Sequence, residues 1–278
     1  MPGELEHVKK ALRELGKSLK SLPANPLPKA VHKLRTSARR VEAIAGALPA
    51  AEGKASRRLV ESIQPLRKAA GGVRDMDVLA ANIRKLRQTA PADSLARLMD
   101  HLESARSDEA SELRHTLDRK RKEARHNLRK YAQQVQSALA ETQNGSNGHA
   151  RNGHHRNGMN PTAKLVAREI AEWPAIDTGN IHEFRLRIKQ LRYILQLDAK
   201  ADAALLAALG TVQRRIGDWH DWEQLDEIAH EFLEPAQDAA LLAQIDKMMQ
   251  LKLDRALAAA KSLRRQHLRS AILHVMGC

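Results

Sequence analysis

Aromatic residues are scarce in this 278-residue chain, at 3% of the total, and residues 1–143 contain one of them, Tyr131. Single-stranded nucleic acid is usually gripped by stacking bases on rings, and half of this chain has almost none to offer. Cysteine is confined to Cys278, which excludes a disulfide framework and suits a reducing compartment. No run of about 18 apolar residues occurs, so no spanning helix is expected. The opening M-P-G-E-L-E has no apolar h-region, so the expectation is a chain without a signal peptide, cytoplasmic and away from membranes. Catalytic signatures are missing as well: there is no P-loop G-x-x-x-x-G-K-[ST], no H-E-x-x-H and no nucleophile elbow. Strand-like alternation is absent, and the fold expected is all-α.

What the chain has is positive charge. Its formal net charge is +14 and its pI is near 10.1, so a polyanionic partner is the leading expectation. Charge without rings favours a ligand that is all phosphate and no base.

The charge is ordered. Val31 to Ile44, V-H-K-L-R-T-S-A-R-R-V-E-A-I, reads as a helix with Val31, Leu34, Ala38, Val41 and Ala45 on a core-facing stripe. His32, Arg35 and Arg39, at i, i+3 and i+7, form a second line beside it. Ile181 to Ile194, I-H-E-F-R-L-R-I-K-Q-L-R-Y-I, repeats the device with His182, Arg185 and Lys189, and Arg192 extends it by one turn. Each matched pair is 150 positions apart. One such stripe is most simply a solvated face; two in register argue for an internal duplication.

In chain order, Leu5 to Leu22 predicts a first helix, stopped by Pro23, Pro26 and Pro28. The stripe helix follows and ends near Pro49. A third run begins near Ala51 and holds Pro65, expected to kink or break it; Gly71-Gly72 and V-R-D-M-D-V-L come next. From Asp93 to about Gln143 breakers are few, which predicts one very long helix or a bent pair. Asn144 to Asn160 is Gly- and Asn-rich and without acid, a flexible linker. Its His149, His154 and His155 have neither cysteine nor carboxylate beside them, so no metal site is assigned. The second half runs through Thr162–Trp173, the second stripe, Ala203–Leu233 and, after Pro235, a final helix to about His274. Within it Arg214, Gly217, His220, Asp221 and Glu223 fall opposite Lys68, Gly71, Arg74, Asp75 and Asp77 at an offset of 146. The organisation expected is a first half over 1–143, a linker over 144–160 and a second half over 161–278.

Two H-x-x-R-x-x-x-[RK] helices, each followed by G-x-x-[RH]-D-x-[DE], resemble the CHAD family (conserved histidine α-helical domain) over nearly the whole chain outside the linker. The resemblance implies two four-helix bundles related by a pseudo-twofold axis, with a basic central groove or pore. It also implies binding of inorganic polyphosphate and an association with polyphosphate granules. Carried to matching positions, it implies phosphate contacts from His32, Arg35, Arg39, Arg40, His182, Arg185, Lys189 and Arg192, with Lys68, Arg74, Arg214 and His220 adding to them. Two positions depart from the pattern: Glu42 stands where the first repeat often has a base, and Gln190 replaces an expected base.

The residue chemistry points the same way. A ladder of Arg and Lys can engage successive phosphates by charge-assisted hydrogen bonds. The histidines can donate when neutral, or gain charge when phosphate raises their pKa. Asp75, Asp77, Asp218, Asp221 and Glu223 are expected to orient neighbouring bases instead of performing acid–base or metal chemistry. Trp219 and Trp222 are expected in the core or a groove wall. The basic ends of the long helices suit helix dipoles.

An enzyme is the main competing class, since CHAD domains are sometimes fused to triphosphate-tunnel enzymes with the signature E-x-E-x-K. The nearest approach here, Glu4-Leu5-Glu6-His7-Val8, has valine at the lysine position. Non-catalytic binding without a cofactor or metal is therefore the expectation. A nucleic-acid binder is the second competitor, supported by net charge but by no helix-turn-helix or aromatic interleaving.

Overall fold

The computed structural model describes residues 2–23, 26–47, 53–144, 161–196 and 201–268. Among these residues the chain is all-α, with no strand. The helices are α1 (Pro2–Ser21), α2 (Pro28–Ala47), α3 (Lys54–Arg84), α4 (Ala92–Asn144), α5 (Pro161–Ala171), α6 (Ile181–Gln196), α7 (Ala203–Phe232) and α8 (Pro235–Leu263). A π-helical turn, Arg264–Leu268, follows α8. All of the linker after Asn144 lies outside the described residues, and with it His149, His154 and His155.

The chain divides into two compact units, Met1–Ala81 with Met99–Gly153, and Asn82–Leu98 with His154–Cys278. A division at the linker would put Asn82–Leu98 in the first half; its contacts group it with the second. The reason is local to that unit. Asp238, at the start of α8 and 1% exposed, accepts from Ser94 Oγ at 2.5 Å and from Arg97, and Glu234 N–H donates to it at 3.1 Å. Thr89 Oγ1 also meets Gln244 Oε1 at 3.0 Å. The Ser94 hydrogen bond, together with the Glu234 N–H and the Arg97 charge, overcomes desolvation and holds the Asp238 carboxyl below its ordinary pKa.

In the first unit one apolar cluster is built from α1 (Leu12, Leu15, Leu19), α2 (Val31, Leu34, Ala38, Val41, Ala45), α3 (Leu59, Ile63, Leu66) and α4 (Leu113, Leu117, Tyr131). In the second, α5 (Val166, Ile170), α6 (Ile181, Phe184, Ile188, Leu191, Leu195), α7 (Leu209, Val212, Ile216, Trp219) and α8 (Ala256, Ala260, Leu263) do the same. Each fully buried Leu, Ile or Phe is worth roughly 1.5–3 kcal/mol by transfer, so the apolar stripes dominate placement of the stripe helices. Because they are α-helical, burying Val31/Leu34/Ala38 fixes where His32, Arg35 and Arg39 point.

Pro65 does not break α3, which runs unbroken through it. The ring forfeits one backbone hydrogen bond, but Ile63 and Leu66 beside it are anchored in the core at 0% and 1% exposure. α4 is one helix of 53 residues. Proline opens α2 at Pro28, where a missing N–H costs nothing. Before α6, Asp177 Oδ1 accepts from the N–H groups of Gly179 (2.9 Å) and Asn180 (3.1 Å), which sets the helix start one residue ahead of His182. Asp202 caps α7 through the Ala204 N–H at 2.8 Å.

Two arginines, one midway along α4 and one just after α8, are bound to carbonyls at the ends of other helices. Arg121 of α4 donates to Leu22 O at 3.2 Å, just past α1. Arg264 donates to Ala171 O (3.0 Å), Trp173 O and Pro174 O (3.3 Å) at the end of α5. Carbonyls without intrahelical partners carry the negative end of the helix dipole, so these cations are well placed.

Candidate functional site: two basic ladders

Each ladder is a border line on a stripe helix. His32 and His182 are exposed, whereas Arg35, Arg39, Arg185 and Lys189 are half-buried. The two lines therefore match in burial position by position, as an internal duplication predicts.

The second motif meets the first in the same way inside each unit. A Cβ built on Gly71 of α3 would lie 3.8 Å from Arg35 Nε, and one on Gly217 of α7 would lie 3.5 Å from Arg185 Nη2. Each arginine thus lies over the glycine that its motif supplies, in ordinary van der Waals reach of the place a Cβ would take. Asp75, one turn beyond Gly71, holds Arg35 Nη2 at 3.5 Å. The Arg35 Nε is buried and has no hydrogen-bond partner. The guanidinium thus lies between the Asp75 carboxylate and Gly71, one turn along α2 from the exposed His32.

The motif partners of the histidines also agree. Partial burial first, then the charges of Arg74 and Arg35, push the His32 imidazole below its ordinary pKa. In the second unit the residue opposite Arg74 is His220, whose ring stands 6.0 Å from that of His182, edge to face. Glu223 reaches His220 Nδ1 at 3.0 Å. Lys189 Nζ lies 5.8 Å over the Tyr193 ring.

Not every candidate joins these groups. Arg40 turns toward α1 and pairs with Glu14 at 2.7 Å. Lys68 and Arg214 are exposed, Arg214 with Thr211 Oγ1 at 3.3 Å. Arg192 lies flat on Gly210, with its guanidinium carbon 3.6 Å from a Cβ built there, and donates to Gln213 Oε1 at 2.9 Å; its Nε is buried without a partner.

Two features escaped the sequence. Arg67 of α3 pairs with Glu42 at 2.7 Å, so a base occupies the neighbourhood that Glu42 seemed to vacate. Its place beside Lys68 in the second motif was visible, but nothing local pairs it with Glu42, 25 positions away. The other is a group of bases around Lys252 on α8. Burial lowers the Lys252 pKa; Asp218 opposes this, while Lys85, Arg255 and Arg215 add to it. Arg215 with Asp218 on α7 and Lys252 with Arg255 on α8 are each spaced i, i+3, a pattern helical wheels of the two helices would have shown.

The carboxylates of the second motif serve bases. Asp75 meets Arg35, Asp77 holds Arg106 at 2.7 Å, and Glu223 meets His220. Among the described residues no group of three or more His, Cys, Asp or Glu is arranged to hold a metal, and no helix is long and apolar enough to cross a membrane. Trp219 and Trp222 are core residues at 4% and 1% exposure, which removes them as stacking platforms.

Comparison with curated proteins and with solved structures finds no match. The family model for the CHAD domain matches residues 6–230, from α1 into the last turn of α7, with α8 beyond it. That span takes in both ladders and both glycine motifs, and the chain belongs to the CHAD-domain family.

Proposed function

We propose that this protein binds inorganic polyphosphate without turning it over, through His32, Arg35, Arg39 and Arg74 in the first unit and His182, Arg185, Lys189, Arg192 and His220 in the second. Family membership is consistent with a polyphosphate-related function. The observation that carries the proposal is the arginine over glycine, built twice, with a histidine one turn before it. Polyphosphate repeats the same anionic group along a line, and a helix border repeats a cation about every turn. Guanidinium groups suit it because they present planar donor pairs and stay charged. Lys68, Arg40 and Arg214, more exposed, add long-range attraction. Attachment to polyphosphate granules in the cell follows from the same chemistry.

Calorimetric titration with long-chain polyphosphate tests this on the wild type and on Arg35→Ala/Arg185→Ala. Removing two charge-assisted contacts should weaken binding by at least about a hundredfold. The wild-type affinity should also fall steeply with salt, because bound phosphates release counterions. Unaltered binding in the double variant would mean diffuse charge and no ladder. Retention of duplex DNA or RNA in competition with polyphosphate would favour a nucleic-acid backbone as the ligand.

A further inference from the structure

The ladders differ at one rung. Position 42 on α2 aligns with 192 on α6, and position 67 on α3 aligns with 213 on α7. The first unit has Glu42 gripping Arg67, with Arg67 Nε 2.7 Å from Oε2 and both side chains about three-quarters buried or more. In the second unit the charge is on the stripe helix and its partner is neutral: Arg192 donates to Gln213 Oε1 at 2.9 Å. Supporting positions follow suit. Gly210 makes room for the Arg192 guanidinium, whereas its counterpart in the first unit is Gln64.

The consequence is a difference in continuity. Arg185, Lys189 and Arg192 put three cations in line along about 10 Å of helix, with no acid among them. Arg35 and Arg39 are followed in the same line by Glu42, which repels an anion and occupies the donors of Arg67. A short oligophosphate needs contiguous cations, because it has no further phosphates with which to reach past a carboxylate.

We propose that Glu42 is a specificity-determining residue, closing the last rung of the first ladder so that short oligophosphates bind at the second ladder. This rests on the polyphosphate reading above. An incoming phosphate must compete with the Glu42 carboxylate for Arg67, while at Arg192 it replaces nothing charged, only the neutral Gln213 Oε1.

Tripolyphosphate titrations at fixed salt test it, with long-chain polyphosphate run in parallel. Arg185→Ala should weaken tripolyphosphate by at least about tenfold and Arg35→Ala by about threefold or less. Glu42→Gln keeps an acceptor for Arg67 but removes the charge, and recreates the second-unit arrangement with its roles exchanged. It should strengthen tripolyphosphate binding by about threefold, and should restore part of what Arg185→Ala loses when the two are combined. Gln213→Glu, which installs the guard opposite Arg192, should weaken binding by a similar factor. Equal losses in the two arginine variants, with Glu42→Gln and Gln213→Glu neutral, would overturn the inference. If long-chain binding were still lost in Arg35→Ala/Arg185→Ala, the polyphosphate reading would survive that result. Long-chain binding with no tripolyphosphate binding would likewise overturn only the inference. Failure of the wild type to bind either anion would overturn both.

Discussion

The first and second units place an arginine over a glycine in the same way, yet they distribute the remaining charge differently. At the histidine end the first unit has Arg74 where the second has His220; at the opposite end it has Glu42 where the second has Arg192. The first ladder is therefore strongest near its histidine and the second near its last turn. Both units keep the apolar stripe and the small residue beneath the arginine. They differ in the identity of the charges around these, even where the side chains are largely buried, as at Glu42 and Arg67. Two helical units can in this way carry similar core stripes beneath unequal patterns of charge.

Core packing offers the largest test of that comparison. Phe184 and Leu34 are equivalent stripe residues and both are fully buried. Phe184 also meets the Trp173 ring edge to face, with centroids 5.7 Å apart. Phe184→Ala should cost about 3–5 kcal/mol and Leu34→Ala about 2–5 kcal/mol, measured by denaturant titration. A clearly smaller loss at Phe184 would mean that the second unit collapses around the cavity and is the more plastic of the two.

Carbonyl capping gives a medium effect. Arg264 serves three carbonyls at the end of α5, whereas Arg121 serves one beyond α1. Arg264→Ala should therefore destabilise by about 1–3 kcal/mol and Arg121→Ala by about 1 kcal/mol or less. Equal losses in thermal melts would show that the number of acceptors does not matter and that the lost stem packing does.

Much of this was legible in the sequence and some was not, for reasons that can be named. The stripes were legible because burial of Leu34 or Phe184 imposes a period of 3.6, and the matched positions of the two stripe helices because two offsets, 150 and 146, recur over several residues. The contact between Arg35 and Gly71 could be anticipated only as two motifs, since nothing local says that they touch. The pairing of Glu42 with Arg67, 25 positions away, leaves no periodic trace, and neither does that of Arg264 with Trp173, 91 away. Pro65 was expected to disturb α3 because propensity is local, while the buried neighbours that override it are fixed by tertiary packing. The grouping of Asn82–Leu98 with the second unit was hidden for the same reason, because it depends on a buried carboxylate, Asp238, that periodicity does not single out.

The smallest effect lies at the histidine end, and it isolates the exchange of Arg74 for His220. His32 is held below its ordinary pKa, about 6.5, first by partial burial and then by Arg74 and Arg35. The unfolded chain therefore takes up the proton more readily than the folded one. Any contribution of His32 to stability is present above that ordinary value and is lost as pH falls through it toward the lower folded value. Arg74→His makes the first unit resemble the second and removes one of the two charges. NMR titration should then show the His32 pKa moving up toward its ordinary value. Long-chain polyphosphate added to the wild type should move it the same way, because bound phosphate offsets the guanidinium charges and favours the imidazolium. Affinity should accordingly rise as pH falls below that value. A His32 titration that stays put in Arg74→His would leave burial and Arg35 as the causes of the shift, and the exchange of Arg74 for His220 would then have no say in the protonation of its histidine.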